Sequence, residues 1–239
     1  MTTIYALLFA LLAVSSVRAA ETAPTLRRTP DLARDAQAYP TLAGASNGVA
    51  KINRALTALN AKRLKDIRDC VRAAGRDFEW GQTVDVPLLG AHFVSFYVHG
   101  HQYCGGTHPN AIDESSTFDL QSGDLVNWNA LLADGLRGGG AKGPPLRPSP
   151  RLRAILLAEA DKNQVDPDCR EAFADENASF AFWPDAKAKG LAMHADLLPH
   201  AIEGICGEAV IIPIEALKGL GVNGPLVADI ESGTYQSLE

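Results

Sequence analysis

Three features of the sequence predict an α+β fold, in which antiparallel hairpins pack with one long N-terminal helix and one mid-chain helix. A segment beginning near residue 47 repeats its apolar residues at spacings of three and four. Segments on either side of residue 100 alternate apolar and polar residues, as strands with one covered face do. Helices and hairpins also come in separate runs, which is the pattern of α+β and not of a βαβ alternation.

The first element to justify is one the mature fold would lack. Ile4 to Val14 is an apolar run broken only by Tyr5, too short to span a bilayer as a helix. Val17 and Ala19 supply small residues at the −3 and −1 positions of a cleavage site. Residues 1–19 are therefore read as a signal peptide, and the remaining chain as periplasmic or secreted, with no transmembrane segment after cleavage. Residues 20–38 are polar, carry two prolines and show no sustained period, so they are expected to form a flexible or loosely docked leader.

Val49, Ile52, Leu56, Leu59, Arg63, Ile67 and Cys70 then follow the three-and-four spacing of an amphipathic helix. Ser46 or Asn47 is available as N-cap and Gly75 as its stop. Phe78 to Val86 alternates weakly, and His92 to His101 alternates clearly. In the second run Val94, Phe96 and Val98 share one face; Phe93, Ser95, Tyr97, His99 and His101 share the other. Ile112 to Leu120 returns as a partner strand, ending in the turn Gln121-Ser122-Gly123-Asp124. Residues 135–150 (GLRGGGAKGPPLRPSP) are rich in glycine and proline and predict a surface loop. A helix over Arg151–Lys162, strands over Ala178–Trp183, Gly190–His194 and Glu208–Ile214, and a short helix from Pro213 follow. Residues 223–239 are read as a C-terminal tail.

The chain has 28 acidic against 22 basic side chains and a formal charge of −6. Cleavage would remove Arg18 and make the balance one unit more acidic. Such a charge argues against nucleic acid or an anionic lipid surface as partner and is compatible with a cationic one. Cys70, Cys104, Cys169 and Cys206 are the four cysteines, with no CxxC among them. In an exported chain they predict two disulfides. Three pairings are possible, and Cys70–Cys104 with Cys169–Cys206 keeps each bridge within one half of the chain. Each bridge would contribute on the order of 3–4 kcal/mol in the chain-entropy model.

The stretch HGHQYCGGTHPN, residues 99–110, concentrates the candidate chemistry. His99 and His101 fall on one face of a strand, about 6.6–7 Å apart along it. Two imidazoles at that spacing can share a zinc ion, with His108 arriving across the turn as third ligand. Asp113 or Glu114 could then serve as fourth ligand or general base. The plainer outcome is a half-buried strand face on which histidines pack and hydrogen-bond. No GxSxG, HExxH or GxxxxGK[ST] motif occurs, so no catalytic residue and no cofactor are assigned.

Read in order, the chain shows Tyr39-Pro40-Thr41-Leu42, Ile52-Asn53 within the helix, and the strand Val94-Ser95-Phe96-Tyr97. Then come Tyr103, Gly105-Gly106-Thr107-His108-Pro109-Asn110, Phe118-Asp119-Leu120-Gln121-Ser122-Gly123, Leu198-Pro199-His200 and Ile212-Pro213-Ile214. This order resembles the extracytoplasmic domain family of the anti-sigma-V factor RsiV and of the accessory domain of the peptidoglycan deacetylase PdaC. The resemblance spans Tyr39 to about Leu220 and implies one α+β domain over residues 39–222, with 135–150 a loop inside it. It makes Gly105, Gly106, His108 and Asn110 a hairpin motif; His99, His101 and Cys104 match nothing in the pattern. In the anti-sigma factor the domain binds lysozyme, and in the deacetylase it stands beside a separate catalytic domain. Signal transduction and deacetylation, which rest on other parts of those proteins, are not expected to carry over. The expectation is a cell-envelope binding module for a basic protein such as lysozyme or for a cell-wall component. The alternative is a metal-dependent hydrolase or metal-binding protein built on His99, His101 and His108.

Overall fold

The computed structural model describes residues 23–133, 135, 147–196, 198, 202 and 205–238. Residues 1–19, read above as a signal peptide, and most of the Gly/Pro-rich stretch lie outside them. The fold is α+β, and the described residues form three antiparallel sheets: a two-stranded one (β1, Thr25–Arg27; β2, Thr41–Ala43), a four-stranded one and a three-stranded one. The four-stranded sheet runs in the order β5-β4-β3-β9, from β3 (Glu79–Leu89), β4 (Phe93–Tyr103), β5 (Asn110–Asp119) and β9 (Thr234–Ser237). The three-stranded sheet is β6-β7-β8 (Ser179–Asp185, Gly190–Asp196, Val210–Pro213).

Helix α1, Asn47–Ala74, starts at Ser46, whose hydroxyl accepts from Val49 N, and stops at Gly75 in a positive-φ conformation. The serine satisfies one of the orphan donors of the first turn, and glycine takes the terminating conformation at no steric cost. The buried stripe of Val49, Ile52, Leu56, Ile67 and Cys70 lies on one face of the four-stranded sheet, against Val84, Val94, Phe96 and Val98. Buried Arg63 belongs to this stripe too, 2.7 Å from Glu114 and with its guanidinium 5.7 Å from the Trp80 ring. Its stem packs while its head finds a carboxylate and an aromatic face.

The resemblance motifs find physical roles here. Asn53 accepts from Leu42 N at 2.8 Å and donates to Leu42 O at 2.9 Å; Asn60 does the same for Tyr39, at 2.8 and 3.1 Å. Two side-chain amides on α1 thus stand in for a neighbouring strand and seat the Tyr39–Leu42 segment. Gly48 permits the first turn of α1 to touch the turn after β5, since a Cβ there would fall 2.1 Å from Leu120 O. That turn is closed by Asp119, whose Oδ1 accepts from Ser122 N at 2.7 Å.

A second core lies beyond the sheet's other face. It gathers Trp128, Leu152, Leu156, Phe173, Phe180 and Phe182 from α2 (Trp128–Leu131), α3 (Pro150–Lys162), α4 (Pro167–Ala174) and β6, and the second disulfide is buried in it. Arg153 of α3 donates to the carbonyls of Phe173, Asp175 and Glu176, satisfying the C-terminal end of α4. Strand β6 crosses the four-stranded sheet on that side. Ser115 Oγ on β5 donates to Phe182 O at 3.1 Å, the Trp183 ring stacks on Tyr97 of β4, and Ala186 N donates to Pro87 O on β3 at 2.9 Å. The attachment on β3 falls at a bulge between Asp85 and Leu88. Pro87 lacks an N–H for the ladder, so a break there is natural and its carbonyl is left for β6.

Two boundaries differ from the sequence reading. The leader is not loose: β1 pairs with β2, and buried Ala36 bridges to Gln82 on the outer edge of β3. The reason is backbone and amide pairing: Gln82 N donates to Asp35 O, Gln37 N to Gln82 O, and Val84 N to Gln37 Oε1. Nor is 223–239 a tail. After α5 (Ile214–Lys218), Asn223 caps α6 (Gly224–Ser232), which buries Leu226, Asp229 and Ile230, and β9 completes the large sheet. The Asp229 carboxylate accepts from Ala91, His92 and Phe93 N and lies 3.0 Å from His92 Nδ1, pinning the β3–β4 turn. Of the Gly/Pro-rich stretch, the two described ends meet: Ser149 Oγ donates to Gly135 O at 2.6 Å.

Candidate functional site

The stretch that concentrated the histidines is the end of β4 and its hairpin to β5. The disulfide Cys70–Cys104 ties the hairpin to the last turn of α1, and the second bridge joins Cys169 to Cys206. Gly105 and Gly106 both take positive φ; a Cβ would meet only ordinary contacts at Gly105 and open space at Gly106, so conformation and not crowding demands glycine there. Tyr103 OH donates to Gly106 O at 2.9 Å, and Asn110 opens β5 opposite Gln102. His108 is exposed in the loop, its Nδ1 3.3 Å from Pro109 O.

His99, His101 and His108 are not gathered around one point. Among the described residues no group of three His, Cys, Asp or Glu side chains could hold a metal ion. His101 lies over Gly81, where a Cβ would come within 2.9 Å of its ring. His99 is engaged elsewhere, and His108 lies beyond the Gly105-Gly106 turn. The three-histidine arrangement fails because shared strand face alone does not converge ligands; ring orientation does.

What the register does build is a polar row on the face away from α1. Asp85 stands opposite Tyr97, and Asp113 opposite His99. His99 Nε2 is 3.2 Å from Asp85 Oδ2, and Tyr97 OH donates to Asp113 Oδ1 at 2.7 Å. The Tyr97 ring is stacked between the Trp183 indole, at a centroid distance of 4.1 Å, and the His99 imidazole, at 5.3 Å. The hydrogen bond to Asp85 raises the His99 pKa above its ordinary value, against a smaller opposing effect of burial. Burial, reinforced by Asp113, raises that of the Tyr97 phenol, which stays protonated. His99 is 42% exposed and the Asp85 carboxyl 16%. The row is thus graded from a buried indole at one end to an accessible imidazole at the other. It holds two carboxylates and at most one cation. Both faces of the Tyr97 ring are covered, so what the row offers a guanidinium or ammonium group is its carboxylates, beside the accessible His99 ring.

Two of these residues carried sequence signals of unequal strength. Asp113 stood out beside the histidines, but as a metal ligand or base. Asp85 went unread, although an aspartate inside the apolar run Val84-Asp85-Val86 is a depleted residue in a strand and so a marker. Its pairing with His99 depends on the β3–β4 register, and that of Trp183 with Tyr97 on how two sheets meet.

Fold and site together define a disulfide-bridged α+β module whose larger sheet is covered by a helix on one face and carries a polar row on the other. No protein-family model and no curated protein matches the chain. Among solved structures, a DUF3298 family protein from Pseudomonas aeruginosa PAO1 is similar over 66% of this chain and 68% of its own, at 14% identity and a TM-score of 0.45. A DUF3298 family member from Bacteroides fragilis is similar over 77% and 69%, at 16% identity and a TM-score of 0.44. Neither likeness assigns a ligand or an activity.

Proposed function

We propose that the chain is an exported cell-envelope binding module that recognises a cationic partner, a lysozyme-like wall hydrolase or a basic cell-wall component. One observation carries the reading: the Trp183–Tyr97–His99 stack with Asp85 and Asp113 beside it, on the sheet face opposite α1, where β6 covers the indole end and His99 stays 42% exposed. The net acidity of the chain supports it by steering a basic protein toward the surface. Two disulfides, and the absence of any described helix long and apolar enough to cross a membrane, support a periplasmic or secreted site of action.

The test is calorimetric titration of the chain lacking residues 1–19 with a c-type lysozyme, at low and at moderate salt. Saturable one-to-one binding that persists at moderate salt is the expected result. Heat that vanishes as salt rises would reduce the interaction to nonspecific charge attraction and remove lysozyme as partner.

A further inference from the structure

Beside the polar row, the large sheet ends in β5, and the free edge of that strand is closed only in part. Turn 121–124 brings the chain back alongside it, so that Val126 N donates to Thr117 O and Asp119 N to Asp124 O. The chain then leaves into α2. Thr117 and Asp119 show which residues of β5 turn their backbone groups outward. By alternation Ala111, Asp113 and Ser115 do so too, and among the described residues nothing pairs with those groups.

This open run lies next to a groove of about 800 Å³ between β5 and α1, lined by Ala55, Leu59, Phe118 and Leu125 among others. Leu125 is 53% exposed, unusual for a large apolar side chain here. Ser116 Oγ, buried in the groove wall, has no hydrogen-bond partner among the described residues. Donors, acceptors and apolar surface are thus arranged side by side, which is what an added strand requires.

We propose that an extended segment of a basic partner protein adds to this edge as an antiparallel fifth strand. Residues directly opposite one another in an antiparallel pair share a face. A partner residue facing Asp113 therefore lies on its side of the sheet and is basic; its neighbours turn into the α1 groove and are apolar. Pairing of a second copy of this chain is disfavoured, because a two-fold axis at Asp113 would set like charges opposite each other. The inference rests on the chain being a binding module and adds to it a place and a mode of contact.

The probe is the hexapeptide acetyl-Lys-Val-Lys-Val-Lys-Val-amide, added to the ¹⁵N-labelled chain lacking residues 1–19. The expected result is saturable binding with amide shifts concentrated at residues 111–116 and on the groove face of α1. Backbone N-methylation of the peptide at its lysines, or Ala111→Pro in the protein, should weaken it about tenfold or more, since each removes a donor of the added ladder. Ala111→Pro sits on an open edge, and the N-methylated peptide tests the ladder even if that variant fails to fold. No saturation at millimolar peptide, shifts elsewhere, or equal binding of the N-methylated peptide would overturn the proposal and leave Asp113 and Glu114 as charges that guard the edge. The peptide reads the edge whether or not lysozyme binds, so the two proposals can fail separately.

Discussion

Val94, Phe96 and Val98 leave β4 in one direction and are fully buried under α1, whereas Tyr97 and His99 leave it in the other and stay partly open. The first face is closed by close backbone approaches and by amide pairs that admit no substitute. The second is held by hydrogen bonds that reach solvent. The sequence motifs shared with the RsiV-like pattern collect on the closed side and in the turns: Tyr39–Leu42, Asn53, Gly105-Gly106, Asp119–Gly123. Of the polar row only Tyr97 falls within that pattern; Asp85, His99, Asp113 and Trp183 do not. Architecture thus lies on one face of the sheet and the recognition proposed above on the other, and mutation should treat them differently.

The largest effects belong to the closed face. Gly48→Ala drives a Cβ into the Leu120 and Gln121 carbonyls, backbone that cannot yield. Leu56→Ala empties a fully buried site. Each should cost about 3–5 kcal/mol in urea unfolding, and a loss under 1 kcal/mol would break the contrast between faces. Without the Cys70–Cys104 bridge, a Cys70→Ala/Cys104→Ala variant should lose about 3–4 kcal/mol on the chain-entropy model. Asn53→Ala strands the N–H and C=O of buried Leu42 and should cost about 2 kcal/mol.

The smallest effect comes from the open face and sharpens the comparison by its pH dependence. The Asp85 hydrogen bond raises the His99 pKa above 6.5 in the folded chain. Its stabilisation is fully present below the unfolded value and is lost as pH rises through the folded one. Because His99 is substantially exposed, the loss is small. An NMR titration should show the His99 midpoint dropping in Asp85→Asn, and the shallow pH dependence of stability should disappear with it. An unchanged midpoint would remove the Asp85–His99 pair from the account.

How far these faces were legible follows from what each depends on. Helix α1 was readable because its apolar spacing and its Ser46 and Gly75 ends are local signals. The β4–β5 hairpin was readable from alternation and from the Gly-Gly turn. The leader was not, because it binds through backbone and amide groups to Gln82 and carries no apolar period. The last helix did leave a signal, Asn223-Gly224-Pro225 followed by Leu226 and Ile230, but its reason for docking is Asp229 serving three amides nearly 140 residues away. The row of Asp85, Tyr97, His99, Asp113 and Trp183 draws on four strands. A register shift of one residue would have scattered it, so only the geometry could assemble it.

The central claim is that the part of this face left open beside β6 recognises cationic groups. The most direct test is to titrate c-type lysozyme at moderate salt into the wild-type chain and into Asp85→Asn/Asp113→Asn, with circular dichroism confirming the fold of both. The account predicts one-to-one binding by the wild type and binding about tenfold weaker or worse in the double variant. Equal affinity in the two proteins would contradict it.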